Sequence, residues 1–288
     1  MSKSRRDFVV GAAASGALSL LWGCQTPTPT FTKPRVALVL GSGAARGFAH
    51  IGVIKVLEAN GIVPDLIVGT SAGAVVGALY ASGINGFELQ RIALELDETT
   101  FSDWTIAGRG LIKGEALANY VNAQLRNKTI EKLARPLAIV ATDLHSGEPI
   151  VFQLGDTGTA VRASSAVPGV FSPVRISGRD YVDGGLTHPV PAAIARRIGA
   201  DVVIAVDISS KPKSAEVSNT VEALLQTFTI MGSRISSYEL AAADFVITPS
   251  IGAIKGTDFS SRNVAILEGE RATQSIIAAI KARVTARQ

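Results

Sequence analysis

A serine between two glycines is the first feature of the chain that suggests chemistry. The motif is Gly69-Thr70-Ser71-Ala72-Gly73, and it lies between an apolar segment typical of a strand and an Ala-rich segment typical of a helix. A G-x-S-x-G turn at such a junction projects the serine above the sheet edge as a nucleophile. Gly69 and Gly73 would let strand and helix approach more closely than a Cβ permits. The alternative interpretation is a helix start that Ser71 only caps.

A glycine-rich loop, Gly41-Ser42-Gly43-Ala44-Ala45-Arg46-Gly47, connects the first predicted strand to the first predicted helix. Backbone N–H groups in such a loop bind anions. The loop is not a dinucleotide fingerprint, because Arg46 stands where the third glycine belongs and no acidic residue ends the next strand; it is not a P-loop, because no Gly-Lys-Ser/Thr follows. The N–H groups of Gly43 and Ala44 are therefore candidate donors to an oxyanion formed at Ser71. Arg46 would either add positive charge or be a solvated residue at the helix start.

A nucleophilic serine needs a base, and Asp183 is the candidate. It ends a short predicted strand and is followed by Gly184 and Gly185, which let other backbone come close. Burial would raise the pKa of this carboxylate and make it a better base, whereas the alternative is a plain Asp-Gly turn.

The three histidines offer weaker candidates for the base. His188 follows Asp183 in the order Ser, acid, His, so a Ser71–Asp183–His188 triad stays open, but the adjacent Pro189 favours a turn. His50 is predicted to have a core or capping role, and His145 to be exposed in a polar hairpin.

The elements that must position these residues alternate between strand and helix. Strands are predicted at 35–40, 64–68, 137–142, 150–154, 173–176, 179–183, 201–207 and 245–248, and helices at 48–60, 71–82, 86–96, 114–125, 156–165, 190–198, from about 218 to 243, and at 264–285. This alternation predicts an α/β fold with a mainly parallel sheet covered on both faces. No internal repeat or later boundary is evident, so residues 35–288 are predicted to form one domain.

Composition excludes several classes of protein. Of the 288 residues, 47% are hydrophobic and 18% charged, whereas charged residues usually make up about 25%; disordered chains and coiled coils are far more polar. The single cysteine excludes an intrachain disulfide framework and a cysteine-cluster metal site. No metal site is predicted.

The N-terminus is typical of an exported lipoprotein. Arg5 and Arg6 resemble a twin-arginine signal, and the apolar run 8–23 is shorter than the ~20 residues that span a bilayer. Leu21-Trp22-Gly23-Cys24 resembles a lipobox, so residues 1–23 are predicted to be a signal peptide, Cys24 the lipidated residue and 24–34 a Pro/Thr-rich tether. Removing residues 1–23 lowers the net charge from +4 to about +2, which implies no nucleic-acid partner. The expected location is the periplasmic face of a membrane, and Gln25 favours the outer one.

Four segments in this order, GSGAARGFAHIGVIKVLE, GTSAG, ASSAVPGVFSPV and DGG, resemble a bacterial patatin-like phospholipase, and in particular bacterial relatives of the neuropathy target esterase catalytic domain. The resemblance spans roughly residues 35–210. It implies a three-layer αβα patatin-like fold, a Ser71–Asp183 dyad without histidine, an oxyanion loop at Gly43, Ala44, Ala45 and Arg46, and no metal or organic cofactor. Ser42 and Ala44 depart from the richer glycine content of the family loop.

The expected function is hydrolysis of phospholipid or lysophospholipid esters through an acyl-enzyme. Two alternatives remain at this point: a non-catalytic lipid-binding lipoprotein of the same fold, and a histidine-dependent esterase. The sequence leaves the acyl-chain and head-group preference, the positional specificity and the oligomeric state open.

Overall fold

The computed structural model describes residues 33–96, 114–212, 217 and 219–285. The predicted signal peptide (1–23), Cys24 and nearly all of the predicted tether lie outside these residues, and the domain bounds 35–288 stay a prediction. The described strands are β1 Val36–Leu40, β2 Leu66–Thr70, β3 Leu137–Asp143, β4 Pro149–Phe152, β5 Val174–Ile176, β6 Arg179–Asp183, β7 Val202–Val206 and β8 Phe245–Ile247. The described α-helices are α1 Ala49–Ala59, α2 Ala72–Ala81, α3 Gly86–Glu95, α4 Glu115–Gln124, α5 Thr157–Ser164, α6 Ala192–Arg197, α7 Thr220–Glu239 and α8 Arg262–Thr285.

The predicted elements are confirmed in type and order, with two local differences. Residues Ala44–Phe48 form a 3₁₀ turn ahead of α1, so the glycine-rich loop is itself wound into a helical turn. The helix predicted from about 218 to 243 is observed as α7, which ends at Glu239, followed by a 3₁₀ turn at Leu240–Ala242. Both differences lie at helix ends, where a tighter turn commonly replaces α-helix.

The sheet is mixed and mostly parallel, which confirms the predicted α/β fold. Its strand order is β5-β6-β3-β2-β1-β7-β8, with β4 also paired to β3. The pairs among β3, β2, β1, β7 and β8 are parallel, and those involving β4, β5 and β6 are antiparallel.

Both faces of the sheet are covered by packed side chains. Alternate residues of β1 belong to two different apolar clusters: Val36, Leu38 and Leu40 to one, and Ala37 and Val39 to the other. Successive side chains of a strand point to opposite faces. The continuous apolar run of β1 therefore buries residues in two layers, as expected of a sheet between helices.

Polar residues begin several of the helices. The side chains of Asn85, Asp156 and Asn219 accept the N–H groups at the third helical positions of α3, α5 and α7, which satisfies one of the unpaired donors at each helix start. Among the helices of the described ranges, none has the length and apolar character needed to cross a bilayer.

β3 is long enough to pair with both β2 and β6, and this pairing determines which strand ends meet. β2 pairs with β3 from Leu137 to Val140, and β6 pairs with it from Ala141 to Asp143. β4 pairs with residues of both segments and so occupies the opposite edge of β3. β2 and β6 therefore lie end to end on one edge of β3, and because they run in opposite directions, their carboxyl ends face each other. Ser71 follows one of these ends, and Asp183 forms the other.

Candidate active site

Ser71 occupies a strained turn between β2 and α2. Its backbone has φ 54° and ψ −117°, a conformation that non-glycine residues adopt rarely and mostly at functional sites. The two motif glycines make the turn sterically feasible. A Cβ on Gly69 would lie 2.5 Å from the carbonyl oxygen of Gly73, and a Cβ on Gly73 would collide with the carbonyl oxygen of Leu40. The glycines are thus needed for close approach, as the motif predicts.

The Ser71 hydroxyl lies beside the carboxylate of Asp183 and interacts with it, which lowers the pKa of that carboxylate. Both residues are buried, with 8% of Ser71 and 6% of Asp183 exposed. Burial raises the pKa of Asp183 to about 6, and the hydrogen bond from the Gly185 N–H and the interaction with the Ser71 hydroxyl oppose that rise. A carboxylate with a pKa near 6 is a stronger base than an exposed aspartate and is still largely ionised at neutral pH.

The two glycines after Asp183 allow the strand ends to meet. A Cβ on Gly184 would collide with the carbonyl oxygen of Val140 and lie 3.0 Å from Thr70. The N–H of Gly185 donates to Asp183 Oδ1 at 2.6 Å, and this contact fixes one carboxylate oxygen. Gly184 therefore serves close approach, and Gly185 orients the carboxylate.

Some backbone N–H groups of the glycine-rich loop donate hydrogen bonds to described residues, and others do not. The N–H of Ser42 donates to Pro189 O at 2.8 Å, that of Ala45 to Gly256 O at 3.0 Å, and that of Arg46 to Gly43 O at 3.2 Å. Among the described residues, no acceptor takes the N–H groups of Gly43 and Ala44. Of the four predicted oxyanion-loop residues, Gly43 and Ala44 thus retain unpaired donors, while the N–H groups of Ala45 and Arg46 are already in use.

Arg46 is buried rather than solvated, so the interpretation of a solvated helix-start residue is wrong. Its Nε donates to Gly43 O at 3.1 Å, and its guanidinium also donates to Ser210 Oγ. Burial lowers the pKa of Arg46 and the charge of Asp207 opposes that shift, but an arginine stays protonated at any physiological pH. The positive charge of Arg46 therefore lies next to the backbone of the loop that contains Gly43 and Ala44.

The side chains of the three histidines contact residues other than Ser71 and Asp183. His50 is fully buried, and because burial lowers its pKa to about 4 it is neutral and donates from Nε2 to Gly41 O at 2.9 Å. This confirms the predicted core role. His145 has 71% of its side chain exposed, as predicted, and His188 Nε2 lies 3.5 Å from Glu239 Oε1. In the described residues, no hydrogen bond or ion pair joins the His188 side chain to Asp183.

An apolar cavity begins beside Ser71. Its walls include Ala44 of the glycine-rich loop and Ala72, the residue after Ser71. The other wall residues are also apolar except at Tyr120, and come from the loop, α1, α2, α3, α4 and the segment before α8: Ala45, Gly47, Phe48, Ile51, Val75, Val76, Leu79, Leu89, Ile92, Ala93, Leu96, Leu117, Tyr120 and Phe259. This cavity could not be predicted from the sequence, because a residue that lines an apolar cavity has the same helical spacing as a core residue. No cluster of three or more histidine, cysteine, aspartate or glutamate side chains suited to a metal ion occurs in the described ranges.

Comparison with known proteins agrees with this geometry. The model of the patatin-like phospholipase family matches residues 38–196, a range that includes Ser71, Asp183 and the glycine-rich loop. The chain belongs to the patatin-like phospholipase family. The predicted resemblance is therefore confirmed.

Relatives within the patatin-like phospholipase family include NTE family proteins. An uncharacterised NTE family protein of Mycobacterium tuberculosis is 40% identical over 198 residues, which are 66% of this chain and 55% of the relative. Human patatin-like phospholipase domain-containing protein 6 is 36% identical over 191 residues, 64% of this chain and 14% of that protein. The match thus spans about half the length of the mycobacterial relative and a small part of the human one.

A solved structure with the same fold is that of VipD from Legionella pneumophila. It superimposes with a TM-score of 0.51 at 14% identity, over 86% of this chain and 67% of that one. At this level of identity the similarity shows the patatin fold alone. It agrees with the three-layer architecture predicted from the sequence.

Proposed function

We propose that this protein is a serine lipid acyl hydrolase that cleaves carboxylic esters of phospholipids or lysophospholipids through an acyl-enzyme. The observation that carries the proposal is a buried, strained Ser71 whose hydroxyl interacts with the buried carboxylate of Asp183, next to an apolar cavity that Ala72 lines. Membership of the patatin-like phospholipase family supports a lipid ester as the substrate.

In the first half-reaction, the Ser71 hydroxyl attacks the ester carbonyl and its proton passes to Asp183. The carbonyl oxygen becomes an oxyanion, and the N–H groups of Gly43 and Ala44 are the donors available to it. Loss of one such donor typically costs roughly 3–4 kcal/mol of transition-state stabilisation. The intermediate collapses, the alcohol leaves with the proton held by Asp183, and the acyl group remains on Ser71.

In the second half-reaction, water attacks the acyl-enzyme and gives its proton to Asp183. The fatty acid leaves, and Ser71 recovers its proton from Asp183. Splitting one difficult displacement into two easier ones is the gain from a covalent intermediate. The positive charge of Arg46, which is hydrogen-bonded to the carbonyl oxygen of Gly43, favours the anionic states of both half-reactions.

The cavity supports an acyl chain as the buried part of the substrate. Each methylene transferred from water to an apolar wall is worth about 0.8 kcal/mol. Ala72 adjoins the nucleophile and lines the cavity together with Ala44, so an acyl chain that enters beside Ala72 would meet Val75, Val76 and Leu79 of α2.

The decisive test is covalent labelling of Ser71. The full chain in detergent is treated with a fluorophosphonate, and the modified peptide is identified by mass spectrometry, while turnover is followed with p-nitrophenyl esters. Labelling and hydrolysis that both disappear in Ser71→Ala support the proposal. A wild-type chain that binds lipid vesicles but shows neither would instead support the non-catalytic lipid-binding lipoprotein.

The proposal extends to location at a membrane. A lipid on Cys24 and a tether of residues 24–34, at most about 40 Å when extended, would keep the enzyme within reach of lipid substrates at the periplasmic face, in the outer membrane in preference to the inner. Replacement of Cys24 by alanine is expected to move the protein from the membrane fraction to the soluble fraction. A protein that stays in the membrane fraction would contradict the lipid anchor.

A further inference from the structure

The ladder of hydrogen bonds between β2 and β3 is interrupted at the N–H of Ser71, the proposed nucleophile. The N–H of Ile67 donates to Pro136 O at 3.0 Å, and the strands stay in register up to Thr70 and Val140. In a parallel pair, every second N–H of a strand points to the same neighbour. The N–H of Ser71 would therefore donate to Val140 O if the ladder continued.

A buried hydroxyl occupies that position instead. Ser164 Oγ accepts the N–H of Ser71 at 2.8 Å and donates to Val140 O at 2.6 Å. Ser164 is the last residue of α5 and is fully buried. The direct hydrogen bond from Ser71 N–H to Val140 O is thus replaced by two hydrogen bonds through the Ser164 hydroxyl. This hydroxyl lies between Ser71 and β3 and separates them.

The separation matters because β6 ends at the same place. Asp183 pairs with Ala141, the residue after Val140, and Gly184 approaches the same Val140 carbonyl that Ser164 binds. If the ladder closed, the backbone of Ser71 would move toward β3, and its hydroxyl would leave the position where it meets Asp183. The inserted hydroxyl therefore keeps the backbone of Ser71 away from the Val140 carbonyl at the point where β6 ends.

We propose that Ser164 is a positioning residue for the Ser71–Asp183 pair, an inference that rests on the proposed function. It holds the strained backbone of Ser71 at the spacing that proton transfer from Ser71 to Asp183 requires. It also keeps the N–H of Ser71 occupied, so stabilisation of the oxyanion depends on donors elsewhere, namely those of Gly43 and Ala44.

A pair of variants of the same shape tests this role. Ser164→Thr keeps the hydroxyl and Ser164→Val removes it, while both add the same bulk to a buried position. Because a displacement of about 1 Å can cost roughly 100-fold in rate, kcat of Ser164→Val is expected to be roughly 10- to 100-fold below that of Ser164→Thr, with KM within about threefold. Ser165→Ala is the matched control, because the Ser165 hydroxyl is buried without a hydrogen-bond partner in the described structure; its activity should stay near wild type.

The pH profile gives a readout that a purely structural role would not change. The interaction with the Ser71 hydroxyl lowers the pKa of Asp183, so loss of that interaction in Ser164→Val should move the acid limb of kcat/KM to higher pH. If both bulky variants fail to fold, judged by circular dichroism and thermal unfolding, the smaller Ser164→Ala is compared with Ser165→Ala by the same measurements.

The outcomes separate the two proposals. Equal kcat and equal acid limbs in the Thr and Val variants, or in the two alanine variants, overturn the role of Ser164 and leave the hydrolase intact. A wild-type chain without Ser71-dependent hydrolysis overturns the hydrolase, and the positioning role with it.

Discussion

The ionisation of one carboxylate should control activity at acid pH. Asp183 accepts a proton only when ionised, and burial raises its pKa to about 6. The logarithm of kcat/KM should therefore be level at neutral pH and fall with a slope approaching one below pH 6, which is about tenfold per pH unit. The measurement is kcat/KM for an uncharged p-nitrophenyl ester from pH 4.5 to 8.5. A profile that stays level to pH 5 would contradict Asp183 as the base.

Individual residues differ in how far the sequence determines their roles. Ser71 and Asp183 could be predicted because each lies in a short motif at the end of a strand. Ser164 could not, since its contact with Ser71 is made across 93 positions of the chain. The burial of Arg46 was missed for a similar reason, because its partner Ser210 lies 164 positions away.

At the scale of the elements, α2 can pack closely against β1 because Gly73 has no side chain. A Cβ on Gly73 would collide with the backbone of Leu40, which cannot move without shifting the central strand. Gly73→Ala is expected to lower the free energy of unfolding by about 3 kcal/mol or more. Gly232→Ala in α7, where a Cβ meets nothing within 4 Å, should instead stabilise by up to about 1 kcal/mol. Urea unfolding of the two variants checks this, and equal stabilities would refute the steric argument.

The segment after β6 also tests the histidine alternative. The His188 side chain contacts Glu239 at the end of α7, so on the proposed Ser71–Asp183 mechanism the reaction would not need its imidazole. His188→Ala should retain hydrolysis within a few-fold of wild type at pH 7.5, whereas loss of a triad base typically costs about 10³-fold or more. Steady-state kinetics decide between these values, and thermal unfolding of the variant checks that any loss does not come from misfolding.

The order of the elements was predictable, whereas the meeting of β2 and β6 was not. Hydrophobic periodicity is local and predicts each strand from its own residues. β6 pairs with the three residues of β3 that β2 leaves unpaired, Ala141–Asp143, and it takes that edge because β4 occupies the other one. No pattern within 179–183 carries that information.

At the scale of the whole molecule, the cavity combines residues that are distant in sequence. Its walls extend from Ala44 to Phe259, and each helix contributes only one side of the space. The apolar character of each wall was visible in the sequence, but the cavity arises because α2, α3 and α4 pack without filling the space between them. The preference of the proposed hydrolase for an acyl-chain length thus depends on how the helices pack in the tertiary structure.

A substitution that narrows the cavity should therefore select against long acyl chains. Val76 lies one helical turn after Ala72 and lines the cavity, so Val76→Phe fills space that the acyl chain would occupy beyond its first carbons. Excluding three methylenes costs about 2–3 kcal/mol, or roughly 50-fold in kcat/KM. We expect that loss with p-nitrophenyl octanoate and a change of no more than about threefold with p-nitrophenyl acetate, whose acyl group does not reach Val76. The control is Val246→Phe, the same replacement on β8 at a side chain that is 38% exposed and outside the cavity, and it should leave the octanoate-to-acetate ratio unchanged. An equal loss on both esters in Val76→Phe would mean that the acyl chain does not occupy this cavity.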